Sequence, residues 1–145
     1  MRSAPLAGAP PLSGPAKLLL AAEVLISYGQ ARRALARHEL PQVLAIMRRA
    51  PRRLRRHPLP DARRDGRRLG AAVERTLQAL PQEVLCLTRS LVLLRLLARR
   101  GVEGTLVIAV RPDGTLELSA HAWVELDGRA LLPPAGDGWG RLLAL

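Results

Sequence analysis

Covalent chemistry in this chain can be built from one cysteine and one histidine. Cys86 is the only cysteine and heads the apolar run Cys86-Leu87-Thr88-Arg89-Ser90-Leu91-Val92-Leu93-Leu94-Arg95-Leu96-Leu97. His121 sits in Ala120-His121-Ala122-Trp123-Val124-Glu125. A thiol is a useful nucleophile at neutral pH when its thiolate is favoured, and unpaired N–H groups at a helix N-terminus favour it. The spacing places Cys86 where a helix begins, after Pro81. The same N–H groups, the Cys86 backbone among them, would then form part of an oxyanion hole, with Gln82 as a candidate side-chain donor. A histidine is the natural base for such a thiol. In strand alternation His121, Trp123 and Glu125 share one face, and the apolar Ala120, Ala122, Val124 and Leu126 share the other. His121 thus points away from the apolar face. The competing reading is a small buried core residue at 86 and a structural histidine at 121.

The elements that must position this pair follow from hydrophobic spacing. Residues 1–16 carry Pro5, Pro10, Pro11 and Pro15 and read as a flexible lead-in. Lys17 to His38 has amphipathic helical spacing, and Pro41 can open a second helix that Pro51 stops. Ten arginines lie between Arg48 and Arg68 among prolines and a glycine, so that stretch reads as an exposed connector. It is either a landing strip for an acidic partner or a solvated linker. Residues 17–68 thus form an N-terminal helical region with its connector, and 69–145 form the core that carries the chemistry.

Within the core, Leu69 to Leu80 is helical, and the Cys86 helix runs to about Arg100 with Gly101 as its stop. Leu106–Val110 is a buried type of strand and Leu116–Leu126 a second one. Asp127-Gly128 is a tight hairpin turn, and Arg129–Leu132 is a third strand. The fold class is α+β: N-terminal helices, then the cysteine helix packed on a small antiparallel sheet.

Composition narrows the function classes. The chain has 145 residues, a length for one core, and a formal charge of +11. With 2 Trp, 1 Tyr and no Phe it has few stacking platforms for bases. An arginine-based polyanion or RNA binder is therefore the weaker alternative, and no nucleic acid is expected. A lone cysteine asks for no oxidising compartment. No stretch reaches the roughly 20 apolar residues of a membrane span, so a cytoplasmic protein is expected. Cys86 with the scattered His38, His57 and His121 has no zinc-ligand spacing, and no metal or cofactor is expected.

Taken together, Cys86-Leu87-x-Arg89-Ser90-Leu91, the helix end Leu97-Ala98-Arg99-Arg100-Gly101-Val102, the strand Leu106–Val110 and Ala120-His121-Ala122-Trp123-Val124-Glu125-x-x-Gly128 resemble the lasso peptide biosynthesis B proteins, specifically the stand-alone leader peptidase. That resemblance implies a papain-like cysteine protease fold of the transglutaminase type. It also implies leader cleavage from a ribosomally made lasso precursor. The implied partners are that precursor, a small leader-recognition protein and a macrolactam cyclase. By the same resemblance Cys86 is the nucleophile and His121 the general base.

The family sets an aspartate on the strand beyond the hairpin to orient the imidazole. A two-residue turn at Asp127-Gly128 instead brings Pro133 or Pro134 there, and neither side chain accepts a hydrogen bond. A turn at Asp113-Gly114 would set Leu106 opposite His121, again without a carboxylate. Asp137 is the candidate orienter, because the Pro-Pro-Ala-Gly segment can loop it back. Asp127 is explained by turn chemistry and Glu125 by the HAWVE pattern. Without an orienter, a catalytically degenerate peptide-binding module is the alternative.

Overall fold

Capping chemistry sets where the helices begin. The computed structural model describes residues 12–49, 59, 61–112 and 118–145. Helix α1 (Gly14–Leu35) starts where the Ser13 side chain accepts from the Ala16 N–H, with Pro15 in its first turn, where a missing N–H costs nothing. Helix therefore begins inside the expected lead-in. Helix α2 (Leu40–Arg48) opens with the Glu39 N–H donating to Gln42 Oε1.

Helix α3 (Ala62–Gln78) opens on Asp61, whose carboxylate accepts from the Arg64 N–H while its own N–H donates to Asp65 Oδ2. This corrects the expectation of an exposed connector through Arg68. The cap satisfies the helix end, and Gly66, Leu69 and Gly70 face the interior, so residues 62–68 fold as helix. The rest of that expected connector, residues 50–58 and 60, lies outside the described residues.

Helix α4 (Cys86–Ala98) ends as the sequence predicts. Gly101 takes φ +74°, the Gly101 N–H donates to the Ala98 carbonyl and the Val102 N–H donates to the Leu97 carbonyl. That is the glycine-terminated Schellman arrangement.

Four strands follow: β1 (Thr105–Pro112), β2 (Leu118–Leu126), β3 (Arg129–Ala130) and β4 (Gly140–Ala144). They form one antiparallel sheet in the order β3-β2-β1-β4. The tight turn is where the sequence puts it: Asp127 and Gly128 both take positive φ, and Leu126 pairs with Arg129. The first hairpin differs. Ala109, not Leu106, stands opposite His121, and Pro112 pairs with Leu118. The expected turn at Asp113-Gly114 falls in the connection 113–117, which lies outside the described residues. β4 is an addition to the expected three strands; it returns to the far edge and pairs with β1 across an irregularity at Ile108/Ala109. Its residues are all exposed, and Leu142, Leu143 and Ala144 run together without the alternation from which a half-buried strand is read.

One hydrophobic core joins all of this, with α4 at its centre and its Leu91, Val92, Leu93, Leu94, Leu96 and Leu97 buried. The helices α1, α2 and α3 lie against it, and β2 and β1 pack on it as well. Its arginines tie it to three different helices. Arg89 pairs with Glu74 of α3 at 3.3 Å. Arg95 donates to the Ile46 carbonyl of α2 at 3.1 Å and to the Arg49 carbonyl beyond it. Burial, and then the neighbouring Arg99, push the Arg95 guanidinium below its usual value. Arg99 and Arg100, just past the helix, pair at 3.2 and 2.9 Å with Glu23 of α1, which is 4% exposed. Among the described residues no helix is long and apolar enough to cross a membrane.

Removing one partner of a buried ion pair strands the other charge. Glu23→Gln is expected to lower unfolding stability by about 3 kcal/mol, read as a drop in the urea midpoint. A midpoint equal to that of the native chain would show that the clamp contributes nothing.

Candidate active site

The position of Cys86 comes from its helix. It is the first residue of α4, half-buried, and its carbonyl accepts from Ser90 Oγ at 2.9 Å. The residue before it, Leu85, is the N-cap and is 69% exposed. A leucine has no side-chain acceptor, and no side-chain cap is formed. The first helical bond of α4 runs from the Arg89 N–H to the Leu85 carbonyl, so the N–H groups of Cys86, Leu87 and Thr88 precede the ladder. The other three helices each open on a polar residue engaged in capping. The cysteine helix alone lacks that chemistry among the described residues.

His121 is placed at the opposite side of the same layer. The short connection from Arg99 to Gly104 reverses the chain, so α4 and β1 run in opposite senses, and β2 runs alongside α4. Their level is fixed at Gly104, where a Cβ would lie 3.0 Å from Leu97 Cδ1, 3.0 Å from Val124 Cγ1 and 3.2 Å from Leu94 Cδ2. From Leu94 back to Cys86 is about 12 Å of helix at about 1.5 Å per residue. From Val124 back to His121 is about 10 Å of strand at about 3.3 Å per residue. Cys86 and His121 therefore occupy the same end of the helix–sheet layer. Cys86 also precedes Leu97 by close to three full turns, which sets it on the side of α4 that faces the sheet.

The two side chains are not hydrogen-bonded to each other in this structure. By alternation His121 lies on the strand face opposite Val124. Its ring stacks on Trp123 at a centroid distance of 5.8 Å and lies 6.1 Å from Trp139, tilted by 57°. Its Nε2 is 3.0 Å from the main-chain carbonyl oxygen of Pro133. The sequence register thus points to the right residue, but the acceptor is its backbone.

That outward face is also more covered than the sequence suggests. Trp123 is 4% and Glu125 6% exposed, and the Arg141 side chain from β4, beyond β1 in the sheet, reaches across to both of them. Trp123 Nε1 donates to Glu125 Oε1 at 3.0 Å, and Arg141 of β4 reaches the same carboxylate at 2.6 Å. Arg111 stands over the Trp139 ring at 4.8 Å. Glu125 is therefore the partner of Trp123 and Arg141. Its burial could have been suspected from the acid two positions after a tryptophan, but Arg141 and Trp139 carried no signal without β4.

The remaining candidates are elsewhere. Asp137 is exposed in a turn with Gly138, which takes φ +82°, and the His121 hydrogen bond goes to Pro133 instead of to it. Asp127 pairs with Arg63 at 3.3 Å. Gln82 lies in the exposed stretch before α4, where its amide donates to Tyr28 Oη at 3.3 Å, and that donor is occupied there.

A sequence model of the transglutaminase-like superfamily matches residues 25–140, from within α1 to the first residue of β4. The chain belongs to that superfamily. No curated protein and no solved structure gives a significant match. The transglutaminase-like domain contains both Cys86 and His121, and with it the chain has a cysteine-protease-like fold.

The missing cap gives a direct test of the α4 terminus. Leu85→Ser supplies an acceptor for the N–H groups of the first turn and is expected to stabilise the domain by about 1 kcal/mol. Urea unfolding measures it, and a destabilised variant would mean that those groups are already satisfied.

Proposed function

We propose that this chain is a cytoplasmic cysteine peptidase. In this reading it removes the leader from a ribosomally made lasso peptide precursor, working with a small leader-recognition protein and ahead of a macrolactam cyclase. The observation that carries the reading is Cys86 as the first residue of an uncapped, buried helix, in a transglutaminase-like domain that also holds His121 at the same end of the layer. The motifs Cys86-Leu87-x-Arg89 and His121-Ala122-Trp123-Val124-Glu125 supply the substrate class by resemblance.

In the proposed mechanism, Nδ1 of His121 takes the proton from Cys86 Sγ. The thiolate attacks the scissile carbonyl at the leader–core junction. The N–H groups of Cys86, Leu87 and Thr88 receive the oxyanion. The protonated ring gives its proton to the leaving amine, and water then attacks the thioester, which frees the leader carboxylate and restores the thiol.

A second reading is a peptide-binding module of the same fold that no longer cleaves. Three observations favour it: among the described residues no carboxylate hydrogen-bonds to His121, Cys86 and His121 are not hydrogen-bonded, and by alternation the His121 ring leaves the strand face opposite the one that packs on α4. A polyanion-binding role has less support, since Arg48, Arg89, Arg95, Arg100 and Arg141 are engaged within the fold.

Reconstitution with the recognition protein and the cognate precursor, followed by mass measurement of the products, separates these readings. Cys86→Ala is expected to abolish cleavage while leaving precursor binding intact. His121→Asn is expected to lower the rate by at least about a hundred-fold. Leu85→Ser should slow cleavage despite its greater stability, because its hydroxyl competes for the oxyanion donors. A native chain that binds the precursor and never cuts it would establish the module instead.

A further inference from the structure

We propose that α3 positions the His121 ring, with Gly70 as the positioning residue, by seating the chain so that the Pro133 carbonyl holds Nε2–H. The inference rests on His121 being the base. A carbonyl oxygen only accepts, so the 3.0 Å contact is a hydrogen bond when Nε2 carries the proton. The neutral ring then has its lone pair on Nδ1, the nitrogen that the proposed mechanism needs.

The carbonyl is held by a short, stiff path. The Leu131 N–H donates to the Val124 carbonyl at 2.8 Å, and Leu131 and Leu132 are 7% and 5% exposed. Leu131 lies across Gly66 and Gly70, one helical turn apart on α3. A Cβ at Gly70 would collide with the Leu131 carbonyl oxygen, and one at Gly66 would stand 3.1 Å from Leu131 Cδ1. The close approach at Gly70 is to backbone, which cannot swing aside as a side chain can. Beyond Leu132, the ring of Pro133 fixes its φ, and Pro134 restricts Pro133 to extended ψ. Few torsions are left between the α3 seat and the carbonyl that faces the imidazole. A carbonyl orients the ring as a carboxylate does but brings a dipole in place of a charge.

Nuclear magnetic resonance of the isotope-labelled full chain tests this, with His121→Asn used to assign the ring. In the native chain the neutral ring is expected to carry its proton on Nε2 of His121, a signal read from the nitrogen-15 shifts of the two ring nitrogens. Gly70→Ala should erase that signal and lower the cleavage kcat about a hundred-fold, with KM near the native value. Should Gly70→Ala not fold, Gly66→Ala and Leu131→Ala take its place, and loss of the signal is again expected. A native ring protonated on Nδ1, or an Nε2–H signal that survives these substitutions, overturns the proposal. Cys86→Ala leaves the signal unchanged, so a failed peptidase reading and a failed positioning reading are told apart.

Discussion

A helix that is apolar around its whole circumference must be covered on every side, and α4 imposes that demand on the rest of the chain. Three helices close around it on one side and two strands on the other. Cover alone would leave α4 free to slide or rotate, since leucine against leucine is weakly directional. The arginines remove that freedom, because together they fix α4 against three different neighbours through oriented, charge-assisted bonds. Arg89 holds it to α3, Arg95 to the end of α2, and Arg99 and Arg100 to the buried carboxylate of α1. The placement of Cys86 thus depends on charges spread along α4 and just beyond its C-terminal end.

Stability and chemistry diverge at the start of that helix. Every other helix opens on a residue that uses the first free N–H groups or helps to. The cysteine helix opens on an exposed leucine, which uses none of them. An uncapped terminus is a local sacrifice of stability, and in the proposed mechanism it leaves N–H groups for the oxyanion. Membership of the transglutaminase-like superfamily accounts for the scaffold. The bare terminus is the feature of this particular chain on which the proposed nucleophilic role of Cys86 rests.

Much of this was legible from residue types. The glycine stop at Gly101, the tight turn at Asp127-Gly128 and the α+β order follow from local rules that tertiary packing did not override. The start of α3 was hidden because arginine-rich sequence reads as solvated, whereas Asp61 and the small residues Gly66 and Gly70 decide that a helix forms and what it packs against. β4 was hidden because Leu142, Leu143 and Ala144 run together without strand alternation, and with it went the Arg141 side chain that reaches Glu125. The register of the first hairpin could not be read either, since counting from Asp113-Gly114 sets Leu106 opposite His121, whereas Ala109 stands there. At the site, Cys86 and His121 were visible as residue types, but their partners were partly main-chain atoms.

The acceptor facing His121 is such an atom, and this alters what a residue at that place can reveal. A carboxylate is lost with one substitution, whereas a carbonyl is carried by any amino acid whose backbone keeps its path. The information that specifies the acceptor is therefore displaced from position 133 to the glycines of α3 and to the stiffness of two consecutive prolines. A search for sites by the identity of the third residue would pass over such a chain and count it as broken. A search by the shape of the segment beside the histidine would find it.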